Sequence, residues 1–169
     1  MACKRLLVCG HGRAGKDTAC EILEKVTGLK NAGTTSKYLC KFVAAKLGIS
    51  EEEAYARRHE SDDMRMLWYH TGNEIRNNDP VCLIKEALKN GEITGGIRDM
   101  QEVLGAKQTG TVDLIVWIEN NRVKPDPTMK FGSKECDVVI ENHWSMGEFE
   151  ERLKRFAKFA GLRGEVHAN

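Results

Sequence analysis

A glycine-rich segment followed by a lysine, near the start of the chain, has the spacing of a phosphate-binding loop. Gly10 and Gly15 are separated by four residues, and Lys16 follows at once. A short apolar run, residues 6–9, precedes the segment, and an amphipathic stretch, residues 18–26, follows it, which is the strand–loop–helix order that such a loop requires. Glycines let consecutive backbone N–H groups point at one anion, and the helix N-terminus adds a partial positive charge.

The chemistry that this segment predicts is the binding of a nucleoside triphosphate. Lys16 would reach the β- and γ-phosphates, and Arg13 supplies a second cation. We predict that the nucleoside triphosphate is bound by Gly10, Gly12, Arg13, Ala14, Gly15, Lys16, Asp17 and Thr18. The alternative is an ordinary glycine-rich turn, which the flanking strand and helix patterns disfavour.

The residue after the lysine departs from the usual pattern. Asp17 stands where Ser or Thr commonly holds Mg²⁺, and Thr18 comes one position later. Because Mg²⁺ prefers oxygen ligands and retains waters, Asp17 could bind it through a carboxylate oxygen, directly or through water. Asp17 and Thr18 are therefore the candidate Mg²⁺ ligands. The alternative, that Asp17 only favours the positive end of the helix, stays open.

Composition places the chain among single globular domains. Its 169 residues are 41% hydrophobic and 30% charged, with a formal net charge of +1, and we expect one domain over residues 1–169. A nearly neutral total does not exclude a nucleic-acid partner, because a basic groove can lie within it. No apolar run approaches the roughly 20 residues of a membrane span and no signal peptide is evident, so we expect no membrane partner and a cytoplasmic location. The six cysteines form no Cys-x-x-Cys pair, so neither a zinc site nor a disulfide framework is indicated.

Apolar periodicity predicts strands alternating with helices. The predicted strands are residues 6–9, a short one within 28–35, 93–97, 112–118 and 136–140. The predicted helices are residues 18–26, 36–47, 50–59, 61–71, 79–89, 100–108 and 145–161. Gly72 is expected to end or break a helix, and Asp79 with Pro80 to start the next one.

This alternation predicts an α/β fold with a parallel sheet covered on both faces. Residues 36–90 form a helical insertion after the first helix, and residues 119–134 form a loop long enough to be a lid. The last eight residues are expected to be a frayed tail.

Ligands of parallel α/β sheets bind beyond the carboxyl ends of the strands, so residues there are candidates for catalysis. Arg98 could contact the acceptor or the transferred phosphate, or could form a buried ion pair. Asp99 is the candidate general base if the acceptor is a hydroxyl, and the alternative is an N-cap for the following helix. Arg122 is the leading lid cation, and Asn142 lies where adenine could be contacted.

The helical insertion carries residues suited to an anionic, aromatic acceptor. Its arginines could bind phosphate bidentately, although most of such a set normally faces solvent; they are Arg57, Arg58, Arg65 and Arg76. Trp68, Tyr69 and His70 could stack on a base, but helical spacing favours a core position for Trp68.

Taken together, these pieces resemble a group of short phage P-loop kinases. The matching stretches are residues 10–18, 65–80, 95–98, 113–118 with Arg122 and Pro125, and 136–142. The resemblance implies a three-layer P-loop NTPase of the nucleoside-monophosphate-kinase-like type, with the acceptor site in the helical insertion and with ATP and Mg²⁺ as substrate and cofactor. The Lys16-Asp17-Thr18 ending is also similar to phage deoxynucleoside monophosphate kinases.

The group leaves the acceptor open. Some members phosphorylate the hydroxymethyl group of 5-hydroxymethyluracil within phage DNA, before thymine hypermodification, and this is our leading expectation because a short chain suits an open groove. The alternative is a kinase of free deoxynucleoside monophosphates, and a nucleotide-binding switch without catalysis is disfavoured. In either kinase the resemblance implies the cytoplasm of an infected bacterial host and a monomer or homodimer.

Overall fold

The computed structural model describes residues 5–163, in which a parallel sheet is flanked by helices. The strands are β1 (Leu6–Cys9), β2 (Asn31–Thr34), β3 (Ile93–Gly95), β4 (Leu114–Glu119) and β5 (Val138–Glu141). The helices are α1 (Lys16–Thr27), α2 (Thr35–Leu47), α3 (Glu51–Ala56), α4 (Asp62–Asn78), α5 (Cys82–Leu88), α6 (Met100–Thr109) and α7 (Met146–Phe159), with a short 3-10 turn at Ser133–Glu135. Across this part of the chain the five strands lie in the order β2-β3-β1-β4-β5, and all neighbours are parallel. The predicted α/β class with a parallel sheet is confirmed.

The two faces of the sheet are buried against different helices. In β1, Leu6 and Val8 join an apolar cluster with residues of α1 and α7. Leu7 and Cys9 join a second cluster with residues of α5 and α6. Because successive strand side chains point to opposite faces, four apolar residues in a row are what a strand covered on both sides requires.

A third apolar cluster holds α2 to α5 together, and it corresponds to the predicted helical insertion. Leu39 and Val43 of α2 pack near Trp68 of α4 and Leu83 of α5. Trp68 is buried, as helical spacing predicts. The cysteines within residues 5–163 are free thiols, in agreement with the absence of a disulfide pattern.

The expected helix end at Gly72 is wrong, because α4 continues to Asn78. Gly72 is buried, and a Cβ at this position would lie 2.9 Å from Nη1 of Arg76, one turn further along the helix. The glycine therefore makes room for the guanidinium of Arg76 and does not end the helix. The predicted helix over residues 50–59 is also too long, since α3 ends at Ala56.

The predicted helix start at Asp79 and Pro80 lies too early. Helix α5 begins at Cys82, and the carboxylate of Asp79 accepts a hydrogen bond of 3.1 Å from the backbone N–H of Val81. Asp79 thus caps a turn before the helix.

The expected tail is wrong at Leu162, which is buried and whose N–H donates to the carbonyl of Ala157 at 2.9 Å. Residues 164–169 of that tail lie outside the described residues.

The connections of the sheet diverge at its centre. From β1 the chain passes beyond β3 to β2, whereas from β3 it passes beyond β1 to β4. The loops that follow β1 and β3 therefore leave in opposite directions, and a crevice opens between them at the carboxyl ends of the two strands. The glycine-rich segment follows β1, and Arg98 follows β3 closely.

The close approach of β3 to β1 predicts a stability difference between two glycine variants. A Cβ at Gly95 would lie 2.5 Å from the carbonyl oxygen of Val8, so Gly95→Ala should lower the free energy of unfolding by about 1–3 kcal/mol. Gly147, exposed in the first turn of α7, has no atom closer than 4.0 Å to a Cβ, so Gly147→Ala should be neutral or stabilising by up to about 1 kcal/mol. Urea unfolding of both variants measures the difference, and equal stabilities would contradict the packing.

Candidate functional site: a phosphate loop beside a cationic cleft

The loop between β1 and α1 is shaped by glycines that no other residue could replace without strain. Gly10 has φ +153°, and a Cβ there would lie 2.7 Å from the carbonyl oxygen of Ile118 in β4. Gly15 has φ +105°, and its Cβ would lie 2.6 Å from the side-chain amide nitrogen of Asn142. The backbone therefore passes between the ends of two neighbouring strands, in a turn that only glycine fits at these points.

The first turn of α1 is left open to an anion. Its N-cap, Gly15, has no side chain, and no side-chain hydrogen bond caps this end of the helix. The first N–H groups of a helix need partners from outside it, and they attract negative charge. Arg13 also has a positive φ of 64°, so the loop combines the left-handed and right-handed backbone turns typical of anion-binding nests.

Lys16 lies partly buried at the start of α1 with its ammonium against the loop. Its Nζ donates to the carbonyl of His11 at 2.6 Å. Burial lowers the pKa of Lys16, and the positive charge of Arg98 lowers it further, against the opposing effect of Asp17 and Asp126. An anion bound between the two cations would remove this unfavourable pairing, so the site favours a ligand with several negative charges.

Asn142 supports the loop through a side-chain hydrogen bond. It is buried, and its side-chain amide donates to the carbonyl of Ala14 at 2.9 Å, while its backbone N–H donates to Glu119 at 2.7 Å. The sequence led us to expect a contact with adenine, and the contact that the structure gives is with the phosphate loop. Asn142 therefore positions Ala14 and Gly15 of the loop.

Asp126, which the sequence analysis did not single out, joins the phosphate loop to Arg98. Its carboxylate forms an ion pair of 2.5 Å with Nη1 of Arg98, and its backbone N–H donates to Nδ1 of His11 at 3.0 Å. A Cβ on Gly12 would lie 3.4 Å from the same carboxylate. Arg98 also donates to the hydroxyl of Thr128. The ion pair predicted as an alternative for Arg98 is therefore present, but the Arg98 side chain is 53% exposed, so it is not buried.

The sequence around Asp126 indicates a local turn but not its contacts with distant residues. The spacing of Asp126 and Thr128 is that of an Asx turn, in which the carboxylate binds the backbone two residues on, and this bond is present at 2.9 Å. Burial would raise the pKa of Asp126, but the hydrogen bonds from Thr128 and the charge of Arg98 outweigh burial, so the pKa lies below its ordinary value.

The predicted lid loop lies against the site in this structure. The backbone N–H of Lys130 donates to the carbonyl of Arg98 at 2.8 Å. Trp117 of β4 stacks edge-on with His11 of the phosphate loop at 5.1 Å and with Phe131 at 5.9 Å between ring centroids. The N–H of Lys130 thus ties the lid loop to the end of β3, and Trp117 lies between Phe131 of the lid loop and His11 of the phosphate loop.

Arg122 and Asp99 have partners of their own. Arg122 is exposed and donates from Nη2 to the carbonyl of Asn142 at 3.3 Å, near the end of β5. Asp99 is the N-cap of α6, where its carboxylate accepts from the N–H of Gln101 at 2.9 Å and Glu102 completes a capping box. The alternative role that the sequence left open for Asp99 is thus the one that its contacts show. Burial raises the pKa of Glu102, although the charge of Arg76 opposes this.

A cleft of about 880 Å³ lies between the helical segment of residues 36–90 and the strap, as we call residues 126–131. We call it the cationic cleft. Its positively charged lining residues are Arg58, Arg65, Arg76, Arg98 and Lys130. The aromatic residues Tyr55, Trp68 and Tyr69 also line it. The positive charge of the cleft acts on His59. Burial lowers the pKa of His59, and the charges of Arg58, Arg65 and Arg98 lower it further. The cleft therefore suits an anion with a planar group.

Other predicted acceptor residues do not reach this cleft. Arg57 is held on the surface by ion pairs with Glu60 at 2.7 Å and Glu53 at 3.4 Å, so its predicted phosphate contact is not supported. His70 contacts the ring of Tyr69 but is not among the residues that line the cleft.

A second cleft of about 670 Å³ connects the phosphate loop to the cationic cleft, and we call it the loop cleft. Lys16 and Asp17 line it. Thr34, Tyr55 and Gly96 line both clefts. The surface is thus continuous from Lys16, at the start of α1, to the arginines of the helical segment.

The predicted Mg²⁺ ligands lie at the start of α1, where Asp17 is exposed and Thr18 is partly buried. Within residues 5–163, no group of three or more histidine, cysteine or acidic side chains is placed to hold a metal ion.

Comparisons with known proteins do not assign a family. A scan against protein families finds no match to the chain, and a search of curated proteins finds none either. Among the residues that the structure describes, no helix combines the length and the apolar character needed to cross a bilayer. Function is therefore inferred from the contacts given above.

The contacts of Asp126 predict a loss of stability in acid. Because its pKa is lowered in the folded protein, the stabilisation is complete above the ordinary aspartate pKa, about 4, and is lost as the pH falls through the folded value. Asp126→Asn cannot ionise, so its free energy of unfolding should fall less between pH 5 and pH 2 than that of the wild type. Urea unfolding across this range checks it, and parallel curves would contradict the assignment.

Proposed function

We propose that the protein is an ATP-dependent phosphotransferase, a P-loop kinase of the nucleoside-monophosphate-kinase-like type. The observation that carries the proposal is the continuous surface from Lys16 and the open first turn of α1 to a cleft lined by four arginines and a lysine. Phosphoryl transfer depends on positioning and on positive charge around the transferred group, and the cationic lining of the cleft supports the second requirement. A nucleotide-binding switch would have no use for a second, cationic cleft.

In this proposal the phosphate loop binds the triphosphate of ATP. The backbone N–H groups of residues 12–18 face the β- and γ-phosphates, and Lys16 leaves the carbonyl of His11 to bind them. Asn142 keeps the loop in shape through Ala14. Arg122, which donates to the carbonyl of Asn142, would meet the nucleotide from the lid loop.

The side-chain oxygens of Asp17 and Thr18 fit Mg²⁺ at the start of α1, since Mg²⁺ takes oxygen ligands. When bound, Mg²⁺ would neutralise charge on the β- and γ-phosphates. Lys16 and Arg98 supply the remaining positive charge around the group in transit, and their mutual repulsion lowers the pKa of Lys16 until an anion binds.

We propose that the acceptor is the hydroxymethyl group of 5-hydroxymethyluracil in DNA. A base taken out of a duplex must be bound by stacking, and Tyr69, whose side chain lies 55% exposed, and Tyr55 offer ring faces at the cleft. The neighbouring phosphates would meet Arg58, Arg65 and Lys130. The alternative is a free deoxynucleoside monophosphate, which the same arginines could hold bidentately.

One assay separates the two acceptors. Wild-type protein with Mg²⁺ and γ-labelled ATP is offered duplex DNA containing 5-hydroxymethyluracil in one reaction and a panel of deoxynucleoside monophosphates in another. We expect label in the digested DNA as a phosphomethyl nucleoside. Label only in deoxynucleoside diphosphates would establish the alternative, and no transfer to either acceptor would contradict kinase activity on nucleotides.

The matched controls for this assay are two lysine variants. Lys16→Ala should lower transfer at least about a hundredfold, because a charge aimed at the transferred group is lost, while the fold survives because Nζ contacts only a loop carbonyl. Lys154→Ala, on the exposed face of α7, should transfer at the wild-type rate. Full activity in a folded Lys16→Ala protein would contradict the role of the loop.

A further inference from the structure

A hydroxyl acceptor must lose its proton as it attacks phosphorus, whereas a phosphate acceptor is already ionised. The proposed function therefore requires a carboxylate, or another base, between the phosphate loop and the cationic cleft. Asp99 is less suited to this role, because its carboxylate already caps α6. Glu102 is buried and accepts from the backbone N–H groups of Arg98 and Asp99.

Asp126 lies between the phosphate loop and Arg98, and it is not itself among the residues that line the loop cleft or the cationic cleft. On one side its carboxylate faces Gly12, and its charge acts on the ammonium of Lys16. On the other side it contacts Arg98 and Thr128, which both line the cationic cleft. An acceptor hydroxyl that attacks a phosphate held by Lys16 and Arg98 has to enter between the same residues.

The contacts of Asp126 fix its orientation and leave it able to accept a further hydrogen bond. Oδ1 accepts from the N–H of Thr128 at 2.9 Å and from its hydroxyl at 2.6 Å. Oδ2 is bound by Nη1 of Arg98. Because a carboxylate oxygen has two lone pairs, Oδ2 can accept from an incoming hydroxyl while the pair with Arg98 remains.

We propose that Asp126 is the catalytic residue that recognises the acceptor hydroxyl and takes its proton. This rests on the proposed function. The hydroxyl oxygen forms a bond to the γ-phosphorus, the bond from that phosphorus to the oxygen bridging it to the β-phosphate breaks, and ADP leaves. The hydroxyl proton passes to Oδ2 of Asp126 and is then released to solvent.

The ionisation of Asp126 agrees with this role. Its lowered pKa keeps the carboxylate charged at neutral pH, ready to accept a hydrogen bond. A weakly basic carboxylate is sufficient in kinases, where the transition state is loose and the catalytic aspartate mainly orients the hydroxyl. Arg98 then has two functions, since it holds Asp126 and faces the group in transit.

The first test measures binding without ATP. Two oligonucleotide duplexes of one sequence are compared, one containing 5-hydroxymethyluracil and the other thymine, which lacks only the hydroxyl. Wild-type protein should bind the hydroxymethyl duplex about tenfold more tightly, because a hydrogen bond to a carboxylate is gained. Asp126→Asn should reduce this ratio to near one, whereas Glu150→Gln, an equivalent change on the surface of α7, should preserve it.

The second test measures transfer to the hydroxymethyl duplex. Asp126→Asn should lower kcat at least about a hundredfold with little change in the KM for ATP, and Asp99→Asn should change it only a few-fold. Thr128→Ala removes the hydroxyl that donates to Asp126 and accepts from Arg98 but keeps the backbone N–H bond to Asp126, so it should have an intermediate effect. Unfolding in urea confirms that each variant is folded.

The outcomes are distinguishable. Transfer by Asp126→Asn within a few-fold of wild type, or an unchanged binding ratio, overturns the role of Asp126 and leaves the proposed kinase intact. A wild type that prefers neither duplex yet phosphorylates the hydroxymethyl one also overturns it, even if the variant does not fold. A wild type that labels only free monophosphates overturns the role of Asp126 and the DNA acceptor, and it leaves the ATP-dependent phosphotransferase standing, since a phosphate acceptor needs no base.

Discussion

The path of the phosphate loop between the ends of β4 and β5 is the constraint on which the rest of the site depends. At Gly10 the backbone passes the carbonyl of Ile118, and at Gly15 it passes the amide of Asn142, each at a distance that excludes a Cβ. The register of the parallel strands fixes both neighbours, since β4 pairs with β1 on one side and β5 on the other. The core of the sheet therefore sets the curvature of the loop.

Charged side chains around this fixed backbone determine which ligands it suits. Lys16 lies at the start of α1 and Arg98 follows β3. Burial and the charge of Arg98 lower the pKa of Lys16, and Asp126 forms an ion pair with Arg98. Such an arrangement is only partly neutralised by the protein, so a polyanion gains more here than at an isolated lysine. The cationic cleft extends the same field toward the helical segment. This concentration of positive charge is what supports the proposed phosphoryl transfer.

Elements were predictable from the sequence where local pattern decides them, and the site was predictable only in part. The apolar run of β1 and the glycine spacing after it identified the loop, and Gly48 and Ser145 end and start helices as expected. The helix end predicted at Gly72 was wrong because this glycine leaves space for the side chain of Arg76, one turn away, and a local pattern does not show that. Asp126 was missed because its partners, His11 and Arg98, are distant in sequence and meet it only after the sheet has formed.

The central claim, that the phosphate loop cradles a triphosphate, is tested most directly by following backbone amide signals by NMR during titration with a nonhydrolysable ATP analogue. The account predicts that the largest shifts fall on residues 10–18, that the analogue with three phosphates binds more tightly than AMP, and that Lys16→Ala weakens both effects. Equal affinity for AMP, or shifts centred away from this loop, would contradict it.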